Sequence, residues 1–123
     1  AFKEGRESLP ATAELKKRIE EFEPFVDAFI LDTYDEETGA SGATGKTHDP
    51  KISRELILKA NRPVILAGGL TPVNVTKIIR DVRPAGVDCH TGIEDENGNK
   101  DRKKLRMFVQ RARHSLGMAE YDE

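Results

Sequence analysis

The stretch Ala28-Phe29-Ile30-Leu31-Asp32-Thr33-Tyr34-Asp35-Glu36-Glu37-Thr38-Gly39-Ala40-Ser41-Gly42-Ala43-Thr44-Gly45-Lys46-Thr47-His48-Asp49-Pro50 decides the fold. An apolar run ends in a carboxylate, a long glycine-rich loop follows, and Asp-Pro opens a helix. This is how a βα unit presents an acid at the end of a buried strand. Two more such junctions follow, at Leu66-Ala67-Gly68-Gly69-Leu70-Thr71-Pro72 and at Val87-Asp88-Cys89-His90-Thr91-Gly92. Three strand ends with polar or glycine-rich chemistry predict one shared site at the C-terminal edge of a parallel sheet.

Outward from these junctions the pattern is αβαβαβα. A helix is expected over 9–23, with Leu15, Ile19 and Phe22 at helical spacing and Pro24 as its stop. The run 26–31 reads as a strand buried on both faces. Pro50 opens a helix with Ile52, Leu56 and Ile57 inside, and Pro63–Ala67 forms the next strand. Thr71-Pro72 starts a helix carrying Val75, Ile78 and Ile79, and Pro84–Asp88 supplies a third strand. After the polar turn Asp95–Asn99, Asp101 caps a last helix with Leu105, Phe108, Val109 and Ala112 inside, and from Gly117 the chain reads as a frayed tail. Alternation of this kind means α/β architecture with parallel strands. Ala1-Phe2-Lys3 reads as the end of a further strand, so an N-terminal portion is expected ahead of it.

The chain has 123 residues, enough for one domain but half of what a closed (β/α)₈ barrel takes, about 250. With 37% apolar and 34% charged residues it is polar for a self-sufficient core, so part of its apolar surface should be completed by something else. A net charge of −2 gives no electrostatic case for nucleic acid or an anionic membrane. The single cysteine, Cys89, excludes an internal disulfide and fits a cytoplasmic protein. No run approaches the roughly 20 apolar residues of a membrane span.

Read residue by residue, each junction carries two meanings. Asp32 is suited to proton donation from a partly desolvated strand end, or it caps a loop or pairs with a lysine. Gly68-Gly69 allows close approach of backbone N–H groups to a phosphate next to a helix start, or it is a plain tight turn. Gly45-Lys46-Thr47 lacks the first glycine of a Walker loop, since position 40 is Ala40, so nucleotide-triphosphatase chemistry is rejected. A loop that closes over substrate fits Gly42–Thr47 better. On a strand Asp88 and His90 share one face and Cys89 takes the other. Cys89 is therefore expected in the core and His90 at the site mouth. A metal site would need more ligands in phase, and His48 and His114 are not placed to supply them, so no metal is expected; no cofactor is expected either. Glu94 and Lys100 read as structural.

These motifs together resemble the second half of the phosphoribosylanthranilate isomerase family. The resemblance is carried by Leu31-Asp32-Thr33, by Gly42–Pro50, by Leu66–Val75 (Leu-Ala-Gly-Gly-Leu-x-Pro-x-Asn-Val), by Val87–Glu94, and by Gly98-Asn99-Lys100-Asp101. It covers roughly residues 26–113, with the motifs in the family's order and spacing. It implies a single partial TIM-barrel domain over 1–123, namely strands about five to eight of a (β/α)₈ barrel with the N-terminal half absent. It implies a phosphorylated, ribose-containing substrate and an Amadori rearrangement in tryptophan biosynthesis. It passes the general-acid role to Asp32 and phosphate binding to Gly68, Gly69, Thr91 and Gly92; Asp88 and His90 would line the substrate. The family's general base is a cysteine ending strand one. Cys89, on strand eight, is not its counterpart, so this chain by itself should be inactive. Cys89-His90-Thr91 replaces the family's small residues and Pro50 its usual Trp, which leaves a phosphosugar-binding paralogue without isomerase chemistry as the alternative. Open strand edges imply pairing with a missing N-terminal half or a second copy.

Overall fold

The computed structural model describes residues 8–32 and 49–118, with side chains from residue 12. The Ala1–Lys3 stub, the loop 33–48 with its expected cover, and the tail beyond Met118 lie outside the described residues. The described part is a three-stranded parallel sheet in the order β1-β2-β3, flanked by four helices.

Helix α1 spans Ser8–Phe22. Leu15 and Ile19 pack inward, whereas Phe22, expected inside, is exposed. Pro24 sits in a 3-10 turn, Glu23–Phe25, that ends the helix, since its ring cannot continue the α ladder. Strand β1 is Phe29–Leu31, half the length expected. Its ladder begins where Phe29 donates to the Pro63 carbonyl at 2.9 Å. Pro63 itself has no N–H to extend the pairing backwards, and the Val26 carbonyl is served instead by Arg62 Nε at 3.1 Å.

Helix α2, Pro50–Lys59, starts as the sequence predicts: the Asp49 carboxylate accepts from Lys51 N and Pro50 fills the first turn. Removing that cap with Asp49→Ala is expected to cost about 1 kcal/mol in urea unfolding; an unchanged midpoint would show the cap to be idle. Leu56, 1% exposed, is the centre of the inner face.

Strand β2 is Val64–Ala67, α3 is Val75–Val82, β3 is Gly86–Asp88 and α4 is Arg102–Ser115. The register places Leu31 beside Leu66 and Leu66 beside Val87. These residues, with Phe29 and Val64, face α1, α2 and α3 and close one core around Leu56 and Val82. A second core joins Leu70, Val75, Ile79, Ile93, Phe108 and Ala112 between α3, α4 and the loops.

The other face of the sheet corrects the expectation of strands buried on both sides. Ile30 is 66% exposed, and no helix among the described residues covers the face it shares with Ile65. Strand alternation sends one set of side chains to the helices and the other to this second face, where Ile30 is exposed, Ile65 half-buried and Ala67 buried. Leu105, expected inside α4, is 41% exposed, because the inner stripe runs through Phe108 and Ala112. The expected fraying at Gly117 is also corrected. Gly117, at φ 75, donates to the His114 carbonyl and Met118 to the Arg113 carbonyl. That pair of hydrogen bonds is a Schellman stop, which uses the left-handed freedom of glycine. None of the described helices is long and apolar enough to cross a membrane.

Candidate active site

Parallel pairing brings the C-terminal ends of all three strands to one edge. Asp32 follows β1 directly and is half-buried. One residue beyond the Leu31–Leu66–Val87 row lie Asp32, Ala67 and Asp88, the last two directly paired. The period of two puts Asp88 and Ala67 in phase with Ile30 and Ile65, Asp88 exposed and Ala67 buried, and Asp32 is in phase with them. Asp88 and His90 are exposed.

Gly68 and Gly69 leave β2 with φ of 94° and 70°. Side chains with a Cβ rarely adopt this conformation, so the pair fits the turn for a backbone reason. The turn is tied down by two residues whose roles the sequence reading missed or saw only in part. Thr71 Oγ1 accepts from Asn74 N at 3.2 Å, and Asn74 Oδ1 accepts from Thr71 N at 2.8 Å. Asn74 Nδ2 also donates to the Gly69 carbonyl at 2.9 Å. Thr71 therefore closes a reciprocal cap ahead of α3, whose helical residues begin at Val75 rather than Pro72. The signal was Thr-x-x-Asn, a capping box with an amide in place of the usual Glu or Gln. Arg111 on α4 donates to the Pro72 carbonyl and fixes the far side of the same turn.

After β3 the chain makes a short 3-10 turn, Thr91–Ile93. Gly92 has no spare volume: a Cβ there would lie 1.9 Å from the Leu70 carbonyl oxygen and 3.0 Å from Cys89 Sγ. The loops after β2 and β3 are thus in backbone contact. Cys89 Sγ donates to the Leu70 carbonyl at 3.1 Å and the residue packs against the second core, half-buried where full burial was expected. Burial pushes its thiol pKa above the ordinary value, outweighing a hydrogen bond from the Gly92 backbone that lowers it. A thiol held protonated is no general base.

Glu94 and Lys100, expected to be structural, form a polar cluster with His90, which is expected at the site mouth. Lys100 Nζ lies 2.8 Å from Glu94 Oε2, 2.8 Å from His90 Nδ1 and 3.0 Å from the His90 carbonyl. His90 Nδ1 is also 3.0 Å from Glu94 Oε2. The hydrogen bond from Lys100 is the main reason the Glu94 carboxyl sits below its ordinary pKa of 4.5; burial opposes it and the charges of Lys100 and His90 add to it. With a folded pKa below the unfolded one, the unfolded chain binds the extra proton. Stability from Glu94 is therefore complete above about pH 4.5 and is lost as pH falls through the folded value. Thermal unfolding from about pH 6 down to pH 3 should show the parent losing more than Glu94→Gln; parallel curves would exclude this contribution.

Two surface grooves lie away from this edge. One is lined by Arg80, Arg83 and His114 at the C-terminal ends of α3 and α4, the other by Arg54, Leu58 and Asp81 on α2 and α3. Among the described residues no three His, Cys, Asp or Glu side chains are grouped to hold a metal ion.

Residues 6–111 match the family model of N-(5'phosphoribosyl)anthranilate (PRA) isomerase. The chain is 53% identical over 95 residues to N-(5'-phosphoribosyl)anthranilate isomerase 2 of Methanosarcina mazei, covering 77% of this chain and 42% of that protein. It is 44% identical over 106 residues to the isomerase of Haloferax volcanii, covering 86% of this chain and 47% of that one. The solved isomerase of Pyrococcus furiosus superposes with a TM-score of 0.68 at 31% identity, over 93% of this chain and 48% of its own length. That of Thermococcus kodakaraensis gives 0.68 at 36% identity, over 91% and 48%. The chain thus spans about half the length of the relatives it matches.

Proposed function

The chain belongs to the N-(5'-phosphoribosyl)anthranilate isomerase family, and on that footing we propose that it forms strands five to eight of a (β/α)₈ isomerase barrel as one partial domain. The reaction is the Amadori rearrangement of a phosphoribosyl aldosylamine to a 1-amino-1-deoxyribulose phosphate. Asp32 gives its proton to the ribose ring oxygen, the C1–O bond breaks, and an iminium forms at C1. A base then removes the C2 proton, and the resulting enolamine tautomerises to the ketone. That base belongs to strand one in the family, so it is supplied from outside these residues. Gly68, Gly69, Thr91 and Gly92 hold the phosphate through backbone N–H groups. Asp88 and His90 line the sugar or its aglycone.

The observation that carries this reading is the contact of Gly92 with the Leu70 carbonyl. It locks the loops after β2 and β3 into one cradle, on the strand edge that Asp32 also ends. The bare face around Ile30 and the unpaired outer edges of β1 and β3 among the described residues favour completion by an N-terminal half or a second copy.

The deciding assay is fluorescence decay of phosphoribosylanthranilate with the full-length polypeptide. Conversion supports the isomerase. Binding of the phosphosugar without conversion would replace it with the non-catalytic paralogue.

A further inference from the structure

The charged donor on the His90 carbonyl has a consequence for the neighbouring amide. The carbonyl of His90 and the N–H of Thr91 belong to one peptide unit, and no cis peptide bond is present among the described residues. In a trans peptide the C=O and N–H point in opposite directions across a rigid plane. Lys100 Nζ donates to that oxygen at 3.0 Å, so it sets the plane and turns the Thr91 N–H away from itself. An ammonium on the carbonyl also polarises the whole unit, and hydrogen bonds strengthen along such a chain.

We propose that Lys100 is a positioning residue for the phosphate cradle, acting through the His90–Thr91 peptide to aim and strengthen the Thr91 N–H. This rests on the reading of the two loops as a phosphate site.

Three contacts make Lys100 a fixed device rather than a loose surface cation. Glu94 Oε2 anchors the ammonium at 2.8 Å. Lys100 forms an antiparallel bridge with Glu94, which holds its backbone against the end of the turn. Lys104 Nζ donates to the Glu94 carbonyl at 2.8 Å, so the anchor is itself held. The same logic runs on the opposite loop, where Asn74 grips the Gly69 carbonyl and thereby the peptide whose N–H is that of Leu70. His90 Nδ1 lies 2.8 Å from Lys100 Nζ and 3.0 Å from Glu94 Oε2. The imidazole therefore sits on the cluster as well.

The test is a titration of the isotope-labelled full-length polypeptide with inorganic phosphate, followed by amide NMR. In the parent the Gly68, Gly69, Thr91 and Gly92 amides should move together. If none of them moves, the phosphate reading of the loops fails, and this inference with it. With Lys100→Met the phosphate dissociation constant should rise about tenfold. The Thr91 amide should lose most of its response while Gly68 and Gly69 keep theirs. Lys100→Arg, which keeps a charged donor, should restore both. Undiminished affinity and an undiminished Thr91 response in Lys100→Met would overturn the inference while leaving the phosphate site standing. Should Lys100→Met fail to fold, Lys100→Gln decides by the same readouts, with a loss of Thr91 response expected and its retention counting against the proposal.

Discussion

Replacing Asp32 by Asn in the full-length polypeptide is expected to lower kcat for phosphoribosylanthranilate by about 10²–10⁴-fold, the usual worth of a positioned general acid. Asn keeps the size of the side chain and much of its hydrogen bonding, but it has no proton to give to the ring oxygen. Ring opening then depends on water or on an unassisted leaving alkoxide. KM should stay within about threefold, since the proposed phosphate site is on the loops after β2 and β3 rather than on β1, and transition-state stabilisation alone is lost. The expectation rests on Asp32 ending β1 at the edge shared with Gly68 and Thr91. Equal turnover by the variant and the parent would remove Asp32 from the chemistry and leave it a strand-end cap.

The second large effect is expected from Gly92→Ala. The added methyl carbon would sit 1.9 Å from the Leu70 oxygen and 2.9 Å from the Leu70 carbonyl carbon. Both are backbone atoms, so no rotamer change relieves the clash. One loop must withdraw by more than about 1 Å to restore van der Waals distance. Overpacking of this kind costs about 1–3 kcal/mol of stability. The larger consequence is expected for the proposed phosphate cradle, because the two loops would be pushed apart, and displacement of about 1 Å can cost 10²-fold in rate. Thermal unfolding and kcat/KM together check the prediction. A variant with parental values in both would mean that the two loops are not held against each other in solution.

Glycine was legible here to different depths. Gly68-Gly69 announced a turn by composition, and their positive φ angles supply the reason. Gly92 carried no such mark: it is needed for space, and the atom that takes the space, the Leu70 oxygen, is 22 residues away in sequence. The same distinction separates the caps. Asp49 and Asp101 act on amides two and three residues ahead, within reach of a local pattern. Asn74 works back five residues onto Gly69 and Lys100 works back ten onto His90, and no helical or strand period links them. Ile30 and Leu105 were misjudged because an apolar letter states a preference for burial but not which neighbour supplies the cover.

The sequence by itself determined the α/β class, the three βα junctions and the capped starts of α2 and α4, because each follows from propensity, period or capping within a few residues. Only the tertiary structure decided the register that levels the strand ends, the locking of the β2 and β3 loops through Gly92, and the cluster of His90, Glu94 and Lys100. Those are contacts between segments whose separation along the chain carries no signal. They form only when the parallel sheet brings its C-terminal ends together.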